Sequence, residues 1–253
     1  MMNPLDLTGR AIVVTGASGG IGRSTAVLLG GLGARVVLVG RDTSRLEETS
    51  SLMEGADHRI APFDLNRLEE IPQWLAGLAD EVGPFSGLVH CAGITSLVPL
   101  RVLGIEQLDE VMRVNFYSAV VLTKEFARKR AHTAKSSIVL VASVAGILAA
   151  PARSAYSASK GALIAFARSV AIELAKSGVR VNCVAPSYVR TEMYEKSADG
   201  LTPDQLSSSV DATQPLGLGT PLDVAHSIAY LIADTGQWIT GSVLSVDGGY
   251  ASQ

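Results

Sequence analysis

Thr15-Gly16-Ala17-Ser18-Gly19-Gly20-Ile21-Gly22 links a short β-branched run, Ala11 to Thr15, to an apolar periodic segment from Ile21 to Leu32. The run reads as a strand, and the segment as a helix closed by the breakers Gly31 and Gly33. Glycines at this junction permit a tight turn and close backbone approach, and they leave the helix N-terminus open to a pyrophosphate. The spacing is Gly16-xxx-Gly20-x-Gly22, so the plain G-x-G-x-x-G pattern does not fit. No Gly-Lys-Ser/Thr follows, which removes a P-loop. Taken alone, the turn also fits a purely structural connection.

Outward from this turn, apolar runs and amphipathic segments alternate to the end of the chain. Arg35 to Val39 reads as a second strand, followed by a polar helical segment from Ser44 to Met53. Arg59 to Phe63 is a weaker strand interrupted by Pro62, and Arg67 to Val82 is helical with Pro72 near its first turn. Gly87 to Cys91, Ser137 to Ala142, Arg180 to Ala185 and Val243 to Val246 complete seven strands. Ile105 to Arg130 carries one long helical period, with Leu108, Val111, Met112, Asn115 and Phe116 near one side. Ala155 to Ala175 and Asp223 to Ala233 are further helices. Ser187 to Gly219 is polar and punctuated by Gly and Pro, with a short helix expected after Pro203. Connections of that length usually serve as lids or binding segments.

Strands alternating with helices, without a break in composition, imply a parallel sheet covered on both faces. The unbroken hydrophobicity of the strands agrees, because such strands are buried on both sides. The expected fold is therefore α/β: one doubly wound domain over residues 1–253, with a seven-stranded parallel sheet and helices on both faces.

Composition narrows the function classes. With 47% hydrophobic residues and 18% charged, a large core is available and wholesale disorder is excluded. A net charge of -3 leaves no basic footprint for nucleic acid. No apolar run is long enough to span a membrane, and Met1 to Arg10 lacks the layout of a signal peptide, so a cytoplasmic location is expected. Cys91 and Cys183 each lie in an apolar strand-like run and read as buried thiols. The four histidines show no metal-ligand spacing. His90 and Cys91 are adjacent in a strand, point to opposite faces, and are expected to pack in the core.

Two features carry chemistry. Tyr156 and Lys160 lie one turn apart on one helix face, which sets an ammonium beside a phenol. A phenol titrates near pH ~10, and one cation about 4 Å away in a partly shielded site supplies on the order of 4 kcal/mol, enough to bring it toward neutrality. At the end of the second strand stands Gly40-Arg41-Asp42. Arginine there suits a 2′-phosphate, whereas an acid suits a ribose 2′-hydroxyl, unless Asp42 caps the next helix. The order favours NADP(H), with NAD(H) as the alternative.

Together these residues resemble the short-chain dehydrogenase/reductase family along nearly the whole chain. Thr15 to Gly22 matches its TGxxxGxG motif, with Gly16, Ser18, Gly20, Ile21 and Gly22 as implied cofactor contacts. Asp64 matches the acid that contacts the adenine, and Cys91-Ala92-Gly93 stands where Asn-Ala-Gly is usual, with Ala92 and Gly93 beside the ribose. Asn115, Ser143, Tyr156 and Lys160 match the catalytic tetrad in order and spacing. Pro186-Ser187 replaces Pro-Gly, while Pro186, Val189 and Thr191 retain the nicotinamide-side positions. Thr240-Gly241 and Val246-Asp247-Gly248-Gly249 match the C-terminal segment.

The resemblance implies a Rossmann-type oxidoreductase moving hydride between NADP(H) and a carbonyl or secondary alcohol, with 3-oxoacyl thioester reduction as one case. Tyr156 would exchange the proton, Lys160 lower its pKa and hold the ribose, Ser143 polarise the carbonyl, and Asn115 hold a water. It implies a small-molecule or carrier-linked substrate, no membrane or nucleic-acid partner, and a homo-oligomer, as a tetramer. Substrate choice is expected in 95–103, 144–154 and 188–216. Ile147, Leu148, Val189, Met193 and Tyr194 would form an apolar wall there, with Arg101, Arg153 and Arg190 as candidate anion contacts. An NAD-dependent alcohol or sugar dehydrogenase and a catalytically silent dinucleotide-binding protein are the alternative functions.

Overall fold

The computed structural model describes residues 3–55, 57–197, 210 and 213–252. Seven strands, β1 (Ala11–Thr15), β2 (Arg35–Gly40), β3 (Arg59–Pro62), β4 (Phe85–His90), β5 (His132–Val141), β6 (Val179–Pro186) and β7 (Val243–Val246), form one sheet. Its order is β3-β2-β1-β4-β5-β6-β7 and every pairing is parallel. The direction of winding reverses between β1 and β4. In a doubly wound sheet the crevice at that reversal, beyond the strands' carboxyl ends, is where ligands bind.

Alternation along each strand divides the core into two layers. Val13, Val37 and Val39 face a cluster with Leu88, Ile138 and Leu140, built by α3 (Ile71–Val82), α5 (Ser118–Phe126) and α6 (Ser154–Leu174). Ile12, Val14, Val36 and Leu38 face the opposite cluster, with Leu29 of α1 (Gly20–Gly31), Leu46 of α2 (Thr43–Ser51) and Ile228 of α8 (Pro221–Ile232). Both faces of the central strands are dry, which is why their sequences show no polar alternation.

Element boundaries moved where local chemistry outweighed periodicity. The third helix begins at Ile71 with Pro72 in its first turn, where a missing N–H costs nothing, and not at Arg67. The last helix begins two residues before Asp223, because Thr220 and Asp223 form a reciprocal cap. The unbroken helix expected over 105–130 is a composite: α4 (Ile105–Met112), a π turn (Arg113–Tyr117) and α5 ending at Phe126. The π turn contains Asn115, whose fully buried amide is turned inward. Such single-turn widenings are frequent at functional sites. Beyond β6 a helix absent from the sequence reading, α7 (Glu192–Ser197), follows the strand. The helix expected after Pro203 lies outside the described residues.

His90 closes β4 as a wholly buried residue. Its Nδ1 lies 3.0 Å from Thr15 Oγ1, and its Nε2 lies 3.4 Å from Ser118 Oγ. The same Thr15 hydroxyl accepts from Ala92 N at 3.2 Å, so the ends of β1 and β4 are tied through one oxygen. Burial, aided by the charge of Lys160, holds His90 at about 3 against an ordinary 6.5. The folded pKa lies below the unfolded one, so the protein binds the neutral ring. That contribution is complete above pH 6.5 and is lost as pH falls toward 3. Acidification toward pH 4 should therefore weaken the folded state by roughly a few kcal/mol through this residue. Denaturant midpoints measured from pH 7 to about pH 4 should fall more steeply for wild type than for His90→Gln; parallel curves would contradict a buried neutral His90.

Candidate active site

The turn quoted above is shaped by what its glycines lack. Gly16 has φ +67°, and a Cβ there would lie 2.8 Å from Ala92 N. A Cβ on Gly22 would lie 2.1 Å from Gly16 O. The first turn of α1 therefore sits on the end of β1 and against the end of β4. Helix α1 starts at Gly20, its N-cap Gly19 offers no side-chain bond, and its first turn has no acidic residue. Its free N–H groups and positive dipole end form a cradle fitted to a pyrophosphate. Arg23 holds the cradle in place, donating to Ser18 O at 2.9 Å and to Thr49 Oγ1 at 3.0 Å. The sequence reading missed Arg23; its only signal was a cation directly after Gly22.

At the end of β2, Asp42 caps α2, its Oδ1 accepting from Arg45 N at 3.1 Å. Arg41 is exposed and forms no ion pair among the described residues. Beside Arg41, Gly40 leaves room: a Cβ would lie 3.4 Å from Ser18 Oγ. Asp64, half-buried beyond β3, accepts from Asn66 N at 3.0 Å. Arg45 pairs with Glu192 of α7, a contact between the cradle and the far side of the cleft that the sequence reading did not anticipate.

Across the crevice, Ser143, Tyr156 and Lys160 line one cavity of about 140 Å³. Ser143 leaves β5 and accepts from Ala145 N at 3.1 Å, which fixes its hydroxyl. Lys160 is 4% exposed, donates to Val141 O at 2.8 Å and stands 5.8 Å from the Tyr156 ring centroid. Asn115 does not line the cavity but braces it. Its Oδ1 accepts from Ile94 N at 2.8 Å, while its Nδ2 donates to Ile94 O at 3.0 Å and to Ser159 Oγ at 3.0 Å. With both amide hydrogens engaged, only acceptor capacity is left to bind a water. Gly93 lies between the two, since a Cβ there would be 3.2 Å from Asn115 Oδ1 and 3.4 Å from Lys160 Nζ. Ser159 was missed, although it lies inside the Tyr-xxx-Lys spacing itself.

Burial sets the electrostatics. Lys160 is lowered to about 8, chiefly by desolvation. Tyr156 is raised above its ordinary value by desolvation, against the opposing effects of the Ser143 hydroxyl and the Arg153 charge. This reverses the direction expected from sequence, where the ammonium was to lower the phenol. Lys160 donates to a carbonyl, and at the phenol the loss of water outweighs the lowering by Ser143 and Arg153. Cys91 packs against the core as expected and also lines the cavity, and burial pushes its thiol up to about 12 and leaves it protonated. His90 is in the core as expected.

The substrate side is built by the chain after β6. Val189 bridges to Gly219, and Thr191 Oγ1 bonds both Val189 O and Tyr194 N, at 3.2 Å each. The Thr191 methyl lies 3.2 Å from where a Cβ of Gly20 would be, bringing this segment onto the cradle. Buried Gln214 accepts from Tyr188 N at 2.7 Å and donates to Gly217 O at 2.8 Å, pinning the two arms together. Pro186, Val189, Leu148, Met193, Tyr194 and Tyr250 line the cavity with Arg153. Ile147, by contrast, is half exposed and is not among the lining residues, and neither Arg101 nor Arg190 reaches the cavity wall. Among the described residues, no cluster of His, Cys, Asp and Glu could hold a metal, and no helix is long and apolar enough to cross a membrane.

A doubly wound sheet whose first turn cradles phosphate, facing a tyrosine–lysine cavity, defines a Rossmann-type oxidoreductase. A family model described as enoyl-(acyl carrier protein) reductase matches residues 16–251. The chain is 33% identical over 246 residues to the 3-oxoacyl-(acyl-carrier-protein) reductase FabG of Rickettsia conorii, spanning 97% of this chain and 98% of that protein. It is also 33% identical over 247 residues to the cis-4-hydroxycyclohexanecarboxylate dehydrogenase of Sinomonas cyclohexanicum, spanning 96% and 97%. A solved dehydrogenase/reductase from Sinorhizobium meliloti 1021 matches with TM-score 0.88 and 30% identity over 98% of this chain and 97% of that one. The protein belongs to the short-chain dehydrogenase/reductase family.

Proposed function

We propose that the protein moves a hydride between NADP(H) and a ketone or its secondary alcohol, with Tyr156 exchanging the proton. The observation that carries this reading is convergence. Ser143 from the end of β5 and Tyr156 and Lys160 from α6 meet in one cavity that opens toward the uncapped start of α1. The nicotinamide, when bound, supplies or accepts the hydride.

The chain's own residues do the rest. Gly16, Ser18, Gly20, Ile21 and Gly22 receive the pyrophosphate, Asp64 the adenine, Ala92, Gly93 and Lys160 the ribose, and Pro186, Val189 and Thr191 the nicotinamide side. Arg41 receives the 2′-phosphate through its forked donors. Asp42 supports that preference because its carboxylate is engaged as a helix cap and is not offered to a ribose hydroxyl. Ser143 orients the carbonyl oxygen. Tyr156, protonated at neutral pH as a phenol, gives its proton to the carbonyl oxygen in reduction and takes it back in oxidation. Asn115 serves by bracing the Ile94 backbone against α6. The described parts of 187–219 form the wall over the substrate side. Relatives named as 3-oxoacyl-(acyl-carrier-protein) reductases support an oxoacyl thioester as one substrate, and the relative named for a hydroxycyclohexanecarboxylate supports a compact alcohol.

A homo-oligomer, as a tetramer, belongs to the same reading. Ala158, Ala165 and Ile172 recur at seven-residue intervals on α6 and are all exposed in the single chain, Ile172 at 76%. Light scattering of dilute protein should return a multiple of the chain mass, and a monomer would remove this part.

Tyr156→Phe should lower turnover by about 10²-fold to 10⁴-fold while NADPH still binds. Near-wild-type turnover would end the proton-transfer role. Arg41→Ala should weaken NADPH by about tenfold or more, roughly 1.4 kcal/mol, and NADH far less. Equal losses by fluorescence titration would contradict 2′-phosphate recognition.

A further inference from the structure

The cavity holding Tyr156 contains a second cation that hydride transfer does not use. We propose that Arg153 anchors a carboxylate on the substrate, so that the enzyme prefers a compact oxo acid or hydroxy acid to a neutral ketone or a thioester. This rests on the hydride-transfer reading above.

Placement is the first support. Arg153 is the N-cap residue of α6, three positions before Tyr156. Both line the cavity, and the Arg153 charge reaches the Tyr156 phenol. Fixation is the second. The guanidinium lies 5.6 Å from the Tyr188 ring centroid, and Tyr188 is wedged edge-on between Tyr194 and Tyr250, each at 6.0 Å. A ring covering one face of a guanidinium leaves its in-plane N–H fork available, and that fork matches a carboxylate.

Absence of competition is the third. Among the described residues, Arg153 makes no ion pair and no side-chain hydrogen bond, and no Asp or Glu lines the cavity. Arg23 and Arg45, at the cradle, are each paired with a glutamate. A half-buried guanidinium beside Leu148, Met193 and tyrosines has no counter-ion among the described residues, an arrangement that an incoming anion completes. The backbone is the fourth. Ala152, immediately before Arg153, has φ +59°, a left-handed conformation unusual for a residue with a Cβ. Val98 N donates to Ala152 O at 2.8 Å and holds the turn against the opposite loop. Strained turns persist where the surroundings over-determine them, and this one presents the arginine.

Size sets the rest of the substrate. The cavity of about 140 Å³ also includes Ile21, Gly93, Pro186, Val189 and Thr191 of the cofactor side, so the substrate has only part of it, and a short or single-ring molecule suits that part better than a long one. The tyrosines and Leu148 supply its apolar walls.

The test measures NADPH consumption with matched pairs, each an oxo acid and its methyl ester in short-chain and single-ring forms, beside a 3-oxoacyl thioester. Wild type, Arg153→Ala and Arg153→Lys are compared, and NADPH binding is titrated for each to verify that it is folded. In wild type the kcat/KM ratio of acid to ester should exceed about ten and fall with added salt. It should drop at least about tenfold in Arg153→Ala, mostly through KM, with Arg153→Lys intermediate because an ammonium lacks the fork. A ratio at or below one in wild type, thioester preferred to acid, or a ratio unchanged in Arg153→Ala overturns the anchor while leaving hydride transfer standing. No consumption with any compound removes both.

Discussion

The structure depends on the contact between the β1–α1 turn and the end of β4. Gly16 lies against the Ala92 backbone, Gly22 against Gly16, and the Thr15 hydroxyl joins His90 to Ala92 N. A single methyl at either glycine would force the helix off the sheet. Because these surfaces touch, the positive end of α1 and the end of β4 open into the same crevice, where the sheet reverses its order. The crevice is a consequence of close packing, and the uncapped start of α1 and the end of β4 are its two walls.

Desolvation is the dominant electrostatic force around that crevice. It keeps His90 and Cys91 neutral, brings Lys160 down to about 8 and pushes Tyr156 up. Lys160 reconciles burial with charge by donating to Val141 O, and Asn115 satisfies its buried amide by engaging Ile94 and Ser159. A spacing argument treats the Tyr156–Lys160 pair as isolated charges at a fixed distance. In the folded protein the larger effect comes from the water that both have lost, and the pair acts as part of a hydrogen-bonded wall. Arg153 differs from these groups, since it lies over the Tyr188 ring and makes no ion pair among the described residues.

Most of the architecture was legible because it is written in local patterns. Unbroken Val and Ile runs announced strands buried on both faces, and Val243–Val246 was bounded correctly even at the sheet edge. Boundaries failed where a cap or a proline acted, at Ile71 and Pro221, since hydrophobic period says nothing about free N–H groups. The π turn at Arg113–Tyr117 escaped for a related reason. Its apolar spacing fits an α-helix, and what widens it is a bond between Asn115 and Ile94, twenty-one positions away in sequence.

The sequence by itself determined the fold class, the glycine-rich turn between β1 and α1, and the residues at Asn115, Ser143, Tyr156 and Lys160, because each follows from residue type and short-range spacing. Only the tertiary structure decided which of these line the cavity and which brace it, the direction in which the Tyr156 phenol moves, and that Cys91 faces the cavity while Asp42 is engaged as a cap. It also singled out Arg153 from the three arginines considered from sequence, by setting it over Tyr188. The reason is common to all of them. Burial and long-range contacts are properties of the packed chain, and they are not encoded in the spacing of any one segment.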